Sequence, residues 1–303
     1  MNWKKQGIIF NANNNNDWMC THASVPIAEH IKEDEFRIYF SPRDLQNRSF
    51  TGYVEIDIKN PKKITKISNK PVISPGDLGG FDDRGTIASS IVTYNDKKYL
   101  YYIGWNKGVT IPYSNAIGLA TSNTNEEKFE KYSQGPIIGR DVIDPFFTAS
   151  SDVIIENDLW RMWYLSCTKW EIREGKPSPN YNIKYAESKD GIDWDRKKIT
   201  CIDFKNDEEW AISRPCVIHN NDGYRMWYSY RGVKNYRIGY AESKDGINWD
   251  RKDDQAGIDV SEEGWDSEMI EYPFVFEHKG ESYMLYCGND YGKTGFGYAI
   301  LEQ

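Results

Sequence analysis

Carboxylates, arginines and aromatic rings gather at the edges of short apolar runs throughout this chain. Ahead of such runs stand Thr21-His22, Phe81-Asp-Asp-Arg-Gly85, Asp144-Pro-Phe-Phe147, Ile212-Ser-Arg-Pro215 and Glu271-Tyr-Pro273. Further on stand Arg43-Asp44 with Asn47-Arg48, Trp105-Asn-Lys107, Lys169-Trp-Glu171, Tyr230-Arg231 and Asn289-Asp-Tyr291. Brought together, these groups suit a small polar ligand, a sugar or sugar phosphate: flat rings stack on its apolar face while charged groups hydrogen-bond its hydroxyls. Each residue alone has a plain structural reading as well. An Asp before a strand caps a turn, and a neighbouring Arg is often its ion-pair partner.

The elements that would bring them together are read from repeats. Tyr185-Ala-Glu-Ser-Lys-Asp-Gly-Ile-Asp-Trp-Asp-Arg-Lys197 returns as Tyr240-Ala-Glu-Ser-Lys-Asp-Gly-Ile-Asn-Trp-Asp-Arg-Lys252, and Arg-Met-Trp-Tyr precedes each copy, ending at Tyr164 and Tyr228. A long repeat filled with short aromatic strands indicates propeller blades. Ser-Lys-Asp-Gly is turn chemistry, and the Trp that follows packs back over the turn as scaffold. Second strands are expected at 36–40, 99–103, 160–164, 224–228 and 283–286, and third strands at 51–56, 116–120, 183–186, 238–241 and 295–299. This predicts an all-β, five-bladed β-propeller, a single domain over residues 1–303. The last unit lacks a fourth strand, and Gly7–Phe10 is expected to supply it, which closes the ring and removes free sheet edges. Residues 170–181 read as an irregular rim insertion. In such a meander the approach to strand one and the turn between strands two and three share a face. All the groups named above therefore fall around one end of the axis, and the Ser-Lys-Asp-Gly turns fall on the other.

Composition agrees and excludes other classes. Aromatics make up 15% of the residues, which fits pleated sheets better than helices. The net charge of −8 with dispersed Lys and Arg excludes a nucleic-acid footprint. No apolar run is long enough to span a membrane, and no membrane partner is expected. The N-terminal residues lack a signal-peptide stretch, and the 5 Cys are odd in number and far apart, as for reduced thiols in a cytoplasmic protein. Neither a phosphate-cradling Gly loop nor a metal-ligand spacing is present, so neither cofactor nor metal is expected.

The pattern resembles the five-bladed propeller glycoside hydrolases and phosphorylases of families 32, 43, 68 and 130. Phe81-Asp-Asp-Arg84 is similar to the Glu-Asp-Pro-Arg segment of the family 130 mannoside phosphorylases. That likeness places Asp82 on the catalytic acid and Arg84 on the arginine for substrate or phosphate. Ile143-Asp-Pro145 resembles the Asp-Pro segments of the group and points to Asp144, and Glu271 would be a carboxylate at the same depth. The resemblance implies inverting glycoside cleavage by a carboxylic acid and a carboxylate roughly 6.5–9.5 Å apart, drawn from Asp82, Asp83, Asp144 and Glu271. Adjacent Asp82 and Asp83 point opposite ways on an extended strand, and the family match favours Asp82.

Arg43, Arg84, Arg214 and Arg231 would hold an anionic part of the ligand. His22 would donate a hydrogen bond, and Asp44, Arg48, Trp105, Lys169, Trp170, Glu171, Tyr272 and Asn289 would line the rest of the funnel. The chain departs from the group at two places: the invertase-type Trp-x-Asn-Asp-Pro start and the Glu-Cys-Pro acid motif are both absent. The alternatives are therefore a phosphate-dependent phosphorylase and a non-catalytic propeller that binds a sugar or a sugar nucleotide. Similar propellers among bacterial surface-polysaccharide genes imply a role in glycan metabolism.

Overall fold

The aromatic runs form antiparallel meanders in a computed structural model that describes residues 1–13, 16–124 and 126–302. The chain opens with β1 (Trp3–Phe10). It continues through β2 (Thr21–Lys32), β3 (Glu35–Arg43), β4 (Gly52–Asp57) and β5 (Ile64–Ile67), then β6 (Gly85–Tyr94), β7 (Lys97–Asn106), β8 (Ser114–Asn123) and β9 (Glu130–Lys131). Next come β10 (Thr148–Glu156), β11 (Leu159–Arg173), β12 (Lys176–Ser188) and β13 (Asp195–Ile202), then β14 (Ala211–Asn220), β15 (Gly223–Arg231), β16 (Arg237–Ser243) and β17 (Trp249–Arg251). The last are β18 (Glu271–His278), β19 (Glu281–Cys287) and β20 (Phe296–Leu301), with one helical turn α1 (Asn289–Gly292) between the final two.

β2–β5 and β6–β9 are each four-stranded sheets, and β10–β17 form one eight-stranded sheet whose halves meet at a single parallel bridge, Tyr181 to Ala211. β1 pairs antiparallel with β20, so the N-terminal strand completes the last sheet. It is longer than the expected Gly7–Phe10, beginning at Trp3, whose ring packs edge-on against Trp227. The first strands touch in cyclic order: β2 with β6, β6 with β10, β10 with β14, β14 with β18, and β18 with β2. Serines stitch neighbours in this ring. Ser89 Oγ donates to Ser151 O at 2.8 Å, and Asp152 accepts from Ser90 Oγ and Val217 N.

The stretch 170–181 is ordered strand instead of an irregular insertion. β11 and β12 stay paired to Arg173 and Lys176, and Glu174 and Gly175 both take positive φ, as a two-residue hairpin turn of the right twist requires.

The repeated Ser-Lys-Asp-Gly turns join neighbouring sheets. Asp190 Oδ1 accepts from Ile192 N and Asp193 N, and Trp194 folds back to donate to Gly191 O. Tyr101 of the preceding sheet also donates to Gly191 O, at 2.8 Å, and in the second copy Trp163 donates to Gly246 O at 2.7 Å. Gly191 has φ +75°, and a Cβ there would sit 2.6 Å from the Trp160 ring. Gly191→Ala is thus expected to cost about 2–3 kcal/mol in a denaturant titration, whereas Lys189→Ala in the same turn stays within about 0.5 kcal/mol.

Candidate functional site at the end of the axis

Each first strand carries a register shift where it enters the ring: between Thr21 and Ser24, Ala88 and Ser90, Ala149 and Ser151, Ser213 and Cys216, and Glu271 and Phe274. His22, Ser150, Arg214 and Tyr272 take positive φ at these bulges. Non-glycine residues in that region are strained, and bulges re-aim side chains beside functional sites. The sequence surrounds these bulges with charge, and the fold turns it toward one end of the axis.

Glu271 is the centre of this cluster. It is fully buried, and neither carboxyl oxygen has a hydrogen-bond partner. Burial pushes its pKa well above the usual carboxylate range, and the Tyr272 side chain, Arg231 and Arg43 oppose that without overcoming it. Burial thus favours the protonated form of this carboxyl. Arg43 donates to Asn47 Oδ1 at 3.0 Å, and Arg231 donates to the Tyr291 hydroxyl at 3.0 Å while its guanidinium lies 4.7 Å from the Trp210 ring. Arg214 is fully buried, bonded through Nη1 to Pro215 O, with Nε and Nη2 unpartnered.

Among the described residues, no carboxylate lies within 4.0 Å of Arg43, Arg214 or Arg231. The two other buried arginines are paired, Arg37 with Glu55 and Arg161 with Glu156, as are the partly buried Arg196 with Asp144 and Arg251 with Glu209. His22 is held neutral, its pKa lowered to about 4 by burial and by the charges of Arg43 and Lys293.

Asp82 and Asp144 are engaged elsewhere. Asp82 accepts from the Tyr102 hydroxyl at 3.0 Å and from Lys131 at 2.6 Å. Asp144, with no exposed surface, accepts from Tyr164, Ser166, Lys184 and Arg196. Asp266 repeats the arrangement with Tyr286 at 3.0 Å and Lys5 at 2.8 Å. In each case an Asp ahead of the first strand meets a middle-strand Tyr and a cation from an outer strand. Asp82, the member of the Asp82–Asp83 pair that the family likeness favours, is thus held in a recurring pin by Tyr102 and Lys131. Asp83 accepts from Gly79 N at 3.0 Å through Oδ2, and its Oδ1 is buried without a partner.

Several other expected ligand groups are held by their own loops. Asp44 accepts from Gln46 N and Arg48 N and pairs with Arg48 Nε at 2.7 Å. Arg84 donates to Gln46 O and Trp105 to Ser49 Oγ, both at 2.7 Å. Asn289 accepts from Glu268 N and Met269 N, and Lys169 pairs with Glu171. Trp170 packs on Tyr113 and Phe147, reaching across to the second sheet. The structure thus draws Glu271, Tyr272, Arg43, Arg231 and His22 into one cluster, places Arg214 at the ring beneath it, and ties the others into loops and pins.

Sequence reasoning missed Trp210, Tyr236 and Arg173. Trp210 lies between the Arg231 and Arg173 guanidinium groups, at 4.7 and 4.9 Å, and the Tyr236 and Tyr181 hydroxyls hydrogen-bond each other. Trp210 directly precedes β14, a position equivalent to the approach residues chosen in the other sheets, so the repeat register held the signal. Among the described residues, no cluster of three or more His, Cys, Asp or Glu side chains is placed to hold a metal ion. A cleft of about 1340 Å³ beside the first and second sheets is lined by Tyr53, Lys66, Asp82 and Lys131 and excludes Glu271.

No family model matches the chain. The fold is that of glycoside hydrolases. A glycosyl hydrolase from Bacteroides ovatus superposes with a TM-score of 0.71 at 14% identity, covering 100% of this chain and 93% of that one. A thermostable family-43 glycoside hydrolase gives 0.67 at 18% identity, covering 94% and 90%. The family 32 β-fructofuranosidase of Bombyx mori gives 0.61 at 12%, covering 93% of this chain and 61% of its own. In sequence, the uncharacterized protein Rv1502 of Mycobacterium tuberculosis H37Rv is 44% identical over 302 residues, and the uncharacterized protein MT1551 of strain CDC 1551 is 45% identical, each over 100% of both chains. At that identity and coverage, the chain belongs to the same family as these two mycobacterial proteins.

Proposed function

We propose that this protein is a glycosidase on a five-bladed propeller, cleaving the bond to a negatively charged sugar unit, with Glu271 as proton donor. The observation that carries the reading is a fully buried carboxyl without hydrogen-bond partners, flanked by two arginines that no carboxylate neutralises. A carboxylic acid kept neutral at pH 7 can protonate a leaving oxygen, and one fixed between unpaired cations leaves their charge for the ligand. The cyclic contacts of the first strands support the five-blade count.

Glu271 would give its proton to the glycosidic oxygen as the C–O bond breaks. Asp83, with one buried free oxygen, is the best carboxylate to activate the attacking water. Arg43 and Arg231 would take a carboxylate or phosphate of the sugar, and neutral His22 would hydrogen-bond a hydroxyl. Asp82 and Asp144 are assigned to the pins. Because Glu271 has no exposed surface, a ligand reaches it only by displacing neighbouring rings, Tyr272 and Tyr291 among them. Bacterial glycan metabolism is the proposed setting.

The same unpaired arginines favour a second reading, a phosphorylase, in which inorganic phosphate takes the place of water. A thermal-shift panel of uronic acids, sugar phosphates, inorganic phosphate and neutral oligosaccharides tests the assignment, since a ligand selective for the folded state raises Tm by mass action. Anionic sugars are expected to stabilise the wild type and to lose that effect in Arg231→Met. Stabilisation by phosphate together with phosphate-dependent turnover would move the assignment to the phosphorylase. Stabilisation by neutral sugars alone would overturn the anionic-substrate reading.

A further inference from the structure

Tyr291 reaches the arginine cluster from α1, a turn tied down at both ends and twisted in the middle. Asn289 anchors one end: its Oδ1 accepts from Glu268 N at 2.9 Å and its Nδ2 donates to Gly264 O at 3.1 Å. Thr294 anchors the other end, donating through Oγ1 to Trp265 O at 3.0 Å. Between the anchors, Asp290, Tyr291 and Gly292 run consecutively through the left-handed region, with φ of +56°, +59° and +82°. Glycine takes that conformation freely, but an aspartate and a tyrosine take it only under strain. Strain of this kind gathers at ligand clamps and switch segments, where the surroundings must hold it in place.

The twist places one side chain. Tyr291 is 40% exposed, yet its hydroxyl accepts from Arg231 Nη1 at 3.0 Å and its ring meets the Tyr236 ring edge-on at 6.1 Å. Its carbonyl accepts from Ser24 Oγ of the first sheet. Among the described residues, the bond to Tyr291 is the one hydrogen bond of the Arg231 side chain, whose Nε is buried without a partner. Rings fix the rest of the guanidinium, with Trp210 at 4.7 Å and Tyr236 at 5.8 Å. Arg231 is therefore boxed and aimed, and its polar contact is a neutral phenol oxygen. A carboxylate or phosphate oxygen is a stronger partner for a guanidinium, by roughly a factor of two per hydrogen bond. Asp290 and Lys293, the charged residues beside Tyr291, are exposed and opposite in sign, so the turn itself adds no net charge.

We propose that Tyr291 is the gate of the axial site. Its hydroxyl holds the place on Arg231 that a carboxylate or phosphate oxygen of the ligand takes, and the 290–293 turn swings aside when that oxyanion arrives. Asn289 and Thr294 are the fixed points of the movement, and the strain in the closed turn lowers the cost of opening. A ligand without an acid group would open the turn and leave Arg231 with no partner, so recognition of the acid group is what clears the way to Glu271. The route to Glu271 rests on the glycosidase reading; the exchange of partners on Arg231 does not.

A site that binds only when open has its apparent affinity lowered by the fraction of molecules that are open. Loosening the gate must then tighten binding, which a merely structural role for Tyr291 would not do. Calorimetric titration with glucuronate and with inorganic phosphate reads this directly. Tyr291→Phe keeps the ring and removes the competing oxygen, and it is expected to bind the anions about 5–20-fold more tightly than the wild type. Ser24→Ala cuts the backbone tether and leaves every ring and charge in place, and it should tighten binding by about threefold or more. Arg231→Met should bind neither anion, alone or combined with Tyr291→Phe. Weaker binding by Tyr291→Phe would make Tyr291 a ligand contact and overturn the proposal. Unchanged affinity in Tyr291→Phe, or in Ser24→Ala should Tyr291→Phe not fold, would overturn it too, as would no anion binding by the wild type and both loosened variants. Glycan cleavage is scored separately: tighter binding with no cleavage keeps the gate and removes the glycosidase reading, and cleavage with unchanged affinities does the reverse.

Discussion

Glu271→Gln is expected to lower turnover of the protein's substrate by about 10²–10⁴-fold, the range for loss of a positioned general acid, while ligand-induced stabilisation is kept within a few-fold. The amide has the size of the acid and no proton to give at the required acidity. Arg43 and Arg231, which lie near Glu271 without contacting it as ion pairs, still meet the anionic group. The kinetic signature is therefore a fall in kcat with affinity retained, as for an interaction made only in the transition state. Loss of affinity with kcat intact would assign Glu271 to binding. Asp83→Asn should also lower turnover at unchanged Tm if Asp83 activates water.

The second large effect falls on stability. Asp144→Ala is expected to cost about 3–5 kcal/mol, because it strands the Arg196 and Lys184 charges in a buried setting along with the Tyr164 hydroxyl. For a chain of this length that is roughly a 10 °C fall in Tm. The hydrogen bond from Ser166 and the pairing with Lys184 and Arg196 outweigh burial and hold the Asp144 pKa below its ordinary value. This contribution is present above the unfolded carboxyl's pKa near 3.8 and is lost as pH falls through the lower folded value. The wild type and Asp144→Ala should thus converge in strong acid. An unchanged Tm in Asp144→Ala at neutral pH, with activity abolished, would return Asp144 to the catalytic set.

The scaffold was legible because its signals are local and repeated. Middle strands such as Trp160–Tyr164 and Tyr224–Tyr228 announce themselves by aromatic composition, and the Ser-Lys-Asp-Gly turns by the side-chain caps they form. The sorting of faces followed from the meander alone, and it brought Glu271, Arg43, Arg231, Tyr272 and His22 to one place. Discrimination within that set was not legible. Asp82 and Asp144 look like ligand residues in one dimension; their tyrosine and cation partners lie 20–52 positions away and become visible only when the sheet is folded. The hairpin at 170–181 was misread for a related reason: Pro and Gly there suggested irregularity, but Glu174-Gly175 supplies the positive φ of a tight turn and the strands simply extend.

The central claim is that Glu271 holds its proton at neutral pH inside a cluster of unpaired arginines. It is tested most directly by the Tm difference between Glu271→Gln and the wild type, followed from pH 4 to pH 8. On that claim the unfolded chain releases this proton above about pH 4.5, while the folded chain, in which burial pushes the carboxyl's pKa upward, keeps it. Folded stability is therefore drained by up to about 1.4 kcal/mol per pH unit until the buried carboxyl itself ionises. Glutamine has no proton to release. The account predicts a variant close to the wild type at pH 4 and increasingly more stable than it toward pH 8. A gap that stays constant, or one in which the wild type gains on the variant as pH rises, would mean that Glu271 is an ionised partner of Arg43 and Arg231, and would contradict it.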